Sequence, residues 1–212
     1  MTALDHAVSP ATRRVLRVEI RPKPGEIDAH GHATLCLAQT HLGPAVTAAH
    51  TTAVFLIEAP LTDEQSQQVA GELLSDPVNQ VAVIGAEDTA PGSAVAEVHY
   101  LPGVMDPVAE STQDAIREML PSLGKDEVLV RTGTRFDFET SSPIDESKLR
   151  AFAESQLANM VVQSVHLEHY HPAEFAHGTP YDFNLTHIPL RDLDDAALEV
   201  MSREAHLFLS LD

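Results

Sequence analysis

The sequence predicts an α+β fold: two tandem βαβαβ units, then an extended linker and a C-terminal helix. Three observations lead there. The chain repeats itself, each copy runs through the same order of hydrophobic periods, and the character changes from His169 onward. The repeat is visible in three places. Glu19, Pro24, Gly25 and Asp28 recur as Glu97, Pro102, Gly103 and Asp106 at a constant offset of 78. Thr51, Phe55 and Glu58 recur as Thr132, Phe136 and Glu139 at an offset of 81, and Leu74, Val78 and Gln80 as Leu157, Val161 and Gln163 at 83. The slowly growing offset is that of a duplication whose second copy has slightly longer loops.

In the first copy (15–85), Leu16, Val18 and Ile20 alternate with Arg17, Glu19 and Arg21, which predicts a strand with one buried face. Pro24-Gly25 ends it, and Asp28 is placed to cap a helix over roughly Ala29 to Leu42, stopped by Gly43-Pro44. The Val-, Thr- and Phe-rich run from Val46 to Ile57 predicts a long strand. Thr62 and Gln65 form a capping-box pattern, in which hydroxyl and amide satisfy each other's free backbone N–H groups. That box opens a helix with Val69 and Leu73 on one face, and Val78 to Ile84 supplies the last strand.

The second copy (93–168) follows the same order. Val95 to Leu101 is the first strand, and Asp106-Pro107 sets a cap followed by proline at the first helical position. Thr112, Ala115, Ile116 and Met119 then mark a helical face. Val128 to Phe138 is the long strand, Pro143 to Leu157 a helix facing Leu149, Phe152 and Ala153 inward, and Val161 to Leu167 the closing strand. A three-stranded unit leaves an edge exposed, so the two copies are expected to pair across a pseudo-twofold, joining their sheets and covering both edges.

The flanks carry less pattern. Residues 1–14, with Asp5, His6 and Pro10 and no apolar core, are expected to be a frayed leader. His169 to Pro189 has four Pro or Gly breaks (Pro172, Gly178, Pro180, Pro189) and no sustained period, and predicts an extended linker. Asp192 is expected to cap a helix over about Asp194 to Leu207, with Leu198, Met201 and Ala205 on one stripe. A lone amphipathic helix must bury its stripe on something. The unfinished apolar-acidic run at Leu209 to Asp212 suggests that this something is another polypeptide.

Charge and composition exclude several functions. Thirteen Lys and Arg face 32 Asp and Glu, a formal charge of −19, so phosphate backbones and anionic lipid are repelled. No stretch approaches the ~20 apolar residues of a membrane helix. Nucleic-acid and membrane partners are therefore not expected, and a cytoplasmic location is. The single Cys36 allows no intrachain disulfide and is expected to be a small buried apolar side chain.

The order of strand, Pro-Gly turn, Asp-led helix, Thr-rich long strand, helix and short Val-rich strand resembles the small PurS-type subunit of phosphoribosylformylglycinamidine (FGAM) synthase. Ile188 to Asp195, with Ser202-Arg203-Glu204 and Leu209 to Asp212, resembles the linker that follows a fused pair of this fold in the large synthases. The family's helix opens Asp-Pro-x-Gly. The first copy keeps Asp28 and Gly31 with Ala29 for proline, and the second keeps Asp106 and Pro107 with Ala109 for glycine. The resemblance implies two ferredoxin-like units paired as a pseudo-dimer. It also implies a part in ATP-dependent conversion of formylglycinamide ribonucleotide to the amidine, with ammonia drawn from glutamine. The family's histidine-bearing catalytic segment, a phosphate-cradling glycine loop and a glutaminase Cys-His-Glu set are all missing from the sequence. The implied role is a non-catalytic module bridging a glutaminase and an ATP-binding synthase. ATP and Mg would belong to the parent enzyme and no cofactor to this chain.

The side chains agree with that role. His169 and His171 share one side of an extended segment, but no third ligand is fixed beside them, so no metal is expected. His30, His32, His166, His177 and His187 are expected to be exposed, and Asp145-Glu146 and Asp194-Asp195 to sit in first helical turns. No order or spacing indicates a nucleophile with its base, so no catalytic residue is assigned. Arg131 and Arg135, flanking Gly133, are interface candidates for an anion or a partner carboxylate, the alternative being a solvated strand face, and Leu198 and Met201 are interface candidates on the terminal helix. Two rival functions remain: a tandem ferredoxin-like small-molecule sensor, with the Pro-Gly turns serving the ligand, and a small metal enzyme built on the histidines.

Overall fold

The computed structural model describes residues 13–90, 92–124, 127–176, 183–185, 187 and 190–210. The chain divides into two compact units at Ala176/His177. In the first unit β1 (Arg14–Pro22), α1 (Ala29–Leu42) and β2 (Val46–Ala59) are followed by α2 (Asp63–Gln68), which continues as a π-helical stretch over Val69–Leu74, and by β3 (Gln80–Ile84). The same series then recurs as β4 (Ser93–Tyr100), α3 (Pro107–Met119), β5 (Leu129–Thr140), α4 (Glu146–Phe152) with its π-helical continuation Ala153–Leu157, and β6 (Gln163–His166). Of the expected leader, residues 1–12 lie outside the described residues, and Arg14 already belongs to β1.

The six strands among the described residues form one antiparallel sheet in the order β3-β1-β2-β5-β4-β6. Its two middle strands pair from Val46 opposite Thr140 to Glu58 opposite Leu129. The joint thus covers one edge of each half. Among the described residues, the outer strands β3 and β6 each pair on one side alone.

The halves do not have separate cores. Leu16, Val18, Ile20 and Ile57 pack with Ala109, Ile116 and Leu120 of the second half. Ala38, Val46 and Ala49 pack with Phe136, Phe138, Leu149 and Phe152. Each half's first helix therefore buries its apolar face on a cluster dominated by the other half. Burying a Leu, Ile or Phe side chain contributes about 1.5–3 kcal/mol, so the exchange ties the sequence repeats into one folding unit. Cys36 falls outside this arrangement: α1 turns Gly31, Thr34 and Ala38 inward, and Cys36 is exposed.

The repeat reappears as bonding. In the first half the Asp28 carboxylate accepts from Gly31 N–H at 2.7 Å, from Thr51 N–H at 2.6 Å and from the Thr51 hydroxyl at 2.8 Å. In the second, Asp106 accepts from Ala109 N–H at 3.0 Å, Thr132 N–H at 2.9 Å and the Thr132 hydroxyl at 2.8 Å. Each helix cap thus also clamps the long strand. Burial raises the Asp28 pKa, but the N–H groups of Gly31 and Thr51 outweigh it and hold the carboxyl below its ordinary value. Gly31 is required here, since a Cβ would lie 2.5 Å from the Ala49 carbonyl oxygen. Asp28→Ala and Asp106→Ala are each expected to cost about 2 kcal/mol, one cap plus two strand bonds. Thermal denaturation should show both midpoints falling by about 4–8 °C. A change under about 1 °C at either site would show that the clamp does not contribute.

The second unit holds a short 3₁₀ turn (Leu190–Asp192) and α5 (Asp195–Glu204). The cap is Asp194, not Asp192: its side chain accepts from Ala197 N–H at 2.8 Å, whereas Asp192 lies in the preceding turn. Ser202 closes the far end, its hydroxyl accepting from Leu209 N–H at 2.8 Å. Leu198 and Met201 are half-buried, while Val200 is exposed. Much of the expected linker (177–182, 186, 188–189) and the terminal 211–212 lie outside the described residues. No helix among the described residues is long and apolar enough to cross a membrane.

Candidate functional site: a buried ion network and the segment that covers it

The sheet face away from the helices carries the charged residues of β1, β4 and β5. The alternation in β1 predicts that Arg17 and Glu19 face solvent; in the structure they are 1% and 2% exposed. Two things account for this. Opposite charges arrive from the other half, and a distant segment lies on top.

Arg17 is the centre. Its Nη2 lies 2.6 Å from both Glu19 Oε1 and Glu97 Oε1, and its Nη1 donates to Glu97 Oε2 at 3.0 Å. Arg135 adds a second cation: Nη1 donates to both Glu19 oxygens at 3.2 Å and to the Glu87 carbonyl at 2.8 Å, and Nη2 to Asp137 at 2.7 Å. Arg135 is thus buried and paired rather than on a solvated face. Burial lowers the pKa of each guanidinium, but Glu97 and Glu19 for Arg17, and Asp137 and Glu19 for Arg135, turn the balance upward. Glu97 shows the same contest with the opposite charge. Burial pushes it up, while the hydrogen bond from His99 and the bond and charge of Arg17 hold it down at about 2.

His99 joins through Nε2, 2.9 Å from Glu97 Oε2. A carboxylate-imidazole pair is the make-up of a general base, but this one has no room to act. The ring lies against Gly133, where a Cβ would come within 2.3 Å of Nδ1, so no reactant fits at that nitrogen. Beyond it, His166 stacks on Tyr170 at 4.2 Å, its pKa lowered first by burial and then by the nearby His99.

Residues 169–176, where the linker is expected to begin, lie across this face. Tyr170 N–H donates to Glu97 Oε2 at 3.1 Å, and its carbonyl accepts from Arg17 Nη1 at 2.8 Å. Phe175 is buried beside Val15, Val54 and Leu56, and its N–H donates to Glu58 at 2.9 Å. Arg131 holds the end of the segment: its guanidinium sits 4.5 Å over the Phe175 ring, and Nη2 donates to the Ala176 carbonyl at 3.2 Å. The histidines of the segment diverge. His169 Nδ1 is 3.2 Å from Glu97 Oε1, while His171 Nε2 is 2.9 Å from the Val15 carbonyl, so they do not form a two-ligand pair.

Ligand atoms of Glu19, Glu97 and His169 do lie within 4.8 Å of one another. Arg17 already bridges the two carboxylates, so a metal ion would have to displace a guanidinium, and the set reads as an ion-pair network. Beside it is a cleft of about 390 Å³ between the halves, lined by Glu19, Glu87, Asp137 and Glu139 with Arg21 and Arg135 among others. Its carboxylates outnumber its bases, which disfavours a phosphorylated ligand.

Glu19 and Glu97 are repeat counterparts, at the offset of 78. A signal was therefore present: an acid kept at one position in two strands that otherwise differ. Arg17, His99 and Tyr170 have no such mark, their counterparts being different residues or none. The assigned candidates scatter. Arg131 and Arg135 meet on this face, and Leu198 and Met201 belong to the second unit.

Residues 93–170 match the PurS family, described as phosphoribosylformylglycinamidine (FGAM) synthase. No curated protein matches the chain. The matched span runs from the first residue of β4 to Tyr170, and includes Glu97, His99, Gly133, Arg135 and His169. That span carries the strand-helix-strand-helix-strand order and the start of the covering segment, and this part of the chain is similar to the PurS family.

Proposed function

We propose that the chain is a non-catalytic assembly module of FGAM synthase in purine biosynthesis, holding a glutaminase and an ATP-dependent synthase part together in the cytoplasm so that ammonia passes between them. The observation that carries this reading is the family match over 93–170. The first half extends it. Its element order, its Asp-Thr clamp and its place in the sheet mirror those of the matched half, which supports a fused pair of PurS-like units. Support for a non-catalytic role comes from the charged face, where Arg17, Glu19, Glu97 and Arg135 engage one another and residues 169–176 bond to Arg17 and Glu97. ATP and Mg²⁺ then belong to the synthase part. Ammonia protonates near neutral pH and is lost as a nucleophile, so physical coupling of the two sites has a chemical purpose.

Reconstitution tests the reading. The chain is mixed with glutaminase and ATP-binding polypeptides from the same source, and amidine formation is followed with glutamine and with ammonium as nitrogen donor. The expected result is a gain in the glutamine-dependent rate, with the ammonium-dependent rate unchanged. If neither rate responds and the polypeptides do not co-elute, the module does not couple them.

A further inference from the structure

Bridging requires two attachment points, and the repeat provides them. The turn after β1 presents Ile27, 87% exposed, beside the turn before β3, which presents Val78, 79% exposed. Lys23 joins the two turns: its backbone N–H donates to the Asn79 carbonyl at 2.9 Å, and its amine donates to the Pro77 carbonyl at 2.6 Å. The counterparts at offsets of 78 and 83 are Met105 and Val161, 72% and 82% exposed, in turns joined by a bond from Leu101 N–H to the Val162 carbonyl at 3.0 Å. Isolated surface apolar residues need no explanation. Two pairs of them at matching positions, in halves whose other side chains have diverged, do.

Topology then places the tips. β1 is antiparallel to β2, β2 to β5, and β5 to β4, so β1 and β4 run in opposite directions on either side of the central pair. The turns that follow them lie at opposite ends of the sheet, at diagonal corners. One body cannot readily cover both; two bodies can be held at once.

The chemistry of the tips differs. Exposed Glu26 and Asp76 flank the first, whose one base, Lys23, is held by backbone carbonyls. The second is wider and nearly uncharged, with Val108 and Met160 also exposed beside Met105 and Val161. Resting on the assembly reading above, we propose that the two tips are docking knobs for two different partner polypeptides. The Ile27–Val78 tip takes an apolar socket edged with lysine or arginine, and the Met105–Val161 tip takes an uncharged apolar groove. Methionine, flexible and polarisable, suits the second surface. Charge complementarity assigns the first, since an acidic rim favours a basic one and suppresses the wrong partner.

The test uses the full chain carrying Ile27→Asp with Val78→Asp, or Met105→Asp with Val161→Asp, with titration against the purified glutaminase and synthase polypeptides separately. All four side chains point to solvent, so the thermal midpoints should match that of the parent chain. Each double variant is expected to weaken binding of one partner at least tenfold and to leave the other within twofold, with the two variants affecting different partners. Glu26→Lys with Asp76→Lys, which leaves the apolar pair untouched, should weaken the partner lost at the first tip and no other, and it stands in should an aspartate variant fold poorly. If the parent chain binds both partners and the variants do too, or if both tips lose the same partner, the tip assignment is overturned while bridging stands. If the parent chain binds neither, both readings fall together.

Discussion

Glu97→Gln is expected to lower the thermal midpoint of the first unit by on the order of 10 °C. Glu97 is fully buried and accepts from Arg17, His99 and the Tyr170 N–H. The amide keeps the shape but removes the charge, leaving Arg17 and Arg135 with Glu19 and Asp137. It also turns one acceptor oxygen into a donor facing Arg17 or His99. Breaking one side of a buried ion network costs about 3–5 kcal/mol, because the cation left behind stays desolvated. At about 2–4 °C per kcal/mol for a domain of this size, the shift follows. A fall of less than about 3 °C, measured by circular dichroism or calorimetry, would mean that water or rearrangement compensates the network.

The same residue sets an acid limit. Its folded-state pKa of about 2 lies below the ordinary 4.5, so the folded state releases the proton more readily than the unfolded chain. The stability this contributes is fully present above pH 4.5 and is lost as pH falls from there towards 2. On the order of 3 kcal/mol is at stake, from about 1.4 kcal/mol per unit. In Glu97→Gln that part of the slope between pH 4.5 and 2 should be missing. An unchanged slope would assign the acid sensitivity to other carboxylates.

The legible parts of this molecule rest on local chemistry. The capping bonds of Asp28, Asp106 and the Thr62–Gln65 box each span three residues, so spacing alone locates the helix starts. The turn before each last strand is equally local: Gln80 accepts from Asp76 N–H at 2.9 Å and Gln163 from Asn159 N–H at 2.8 Å, and both glutamines were already aligned by the repeat. The charged face was hidden for the opposite reason. Alternation in β1 separates two faces, but does not tell whether the second meets water or a segment 150 residues away. Arg17 bonds to Tyr170, and Arg131 stacks on Phe175, across separations that no periodicity records. That α1 and α3 each share a core cluster with residues of the other half was hidden too, since an apolar helical stripe does not say which neighbours it will meet.

Gly133→Ala should be as damaging as the loss of Glu97, and against the usual direction. In the middle of a strand alanine is ordinarily better than glycine by roughly 0.5–1 kcal/mol. Here the new Cβ would lie 2.3 Å from His99 Nδ1, 2.4 Å from Cε1 and 2.8 Å from Cγ. The ring has little room to retreat, being held by Glu97 at 2.9 Å and packed against Tyr170 at 4.9 Å. Either β5 moves away from β4, with an overpacking cost of about 1–3 kcal/mol, or His99 gives up its bond to a charged acceptor, at about 1.5–3 kcal/mol. A combined loss on the order of 3 kcal/mol is expected, read as a fall in midpoint of about 6–12 °C. The discriminating measurement is the double-mutant cycle. His99→Ala removes the obstructing ring, so adding Gly133→Ala to it should cost little or even stabilise. The coupling between the two positions should then exceed about 1 kcal/mol, well above the few tenths typical of independent sites. Costs that simply add would mean that Gly133 is needed for some reason other than the histidine lying over it.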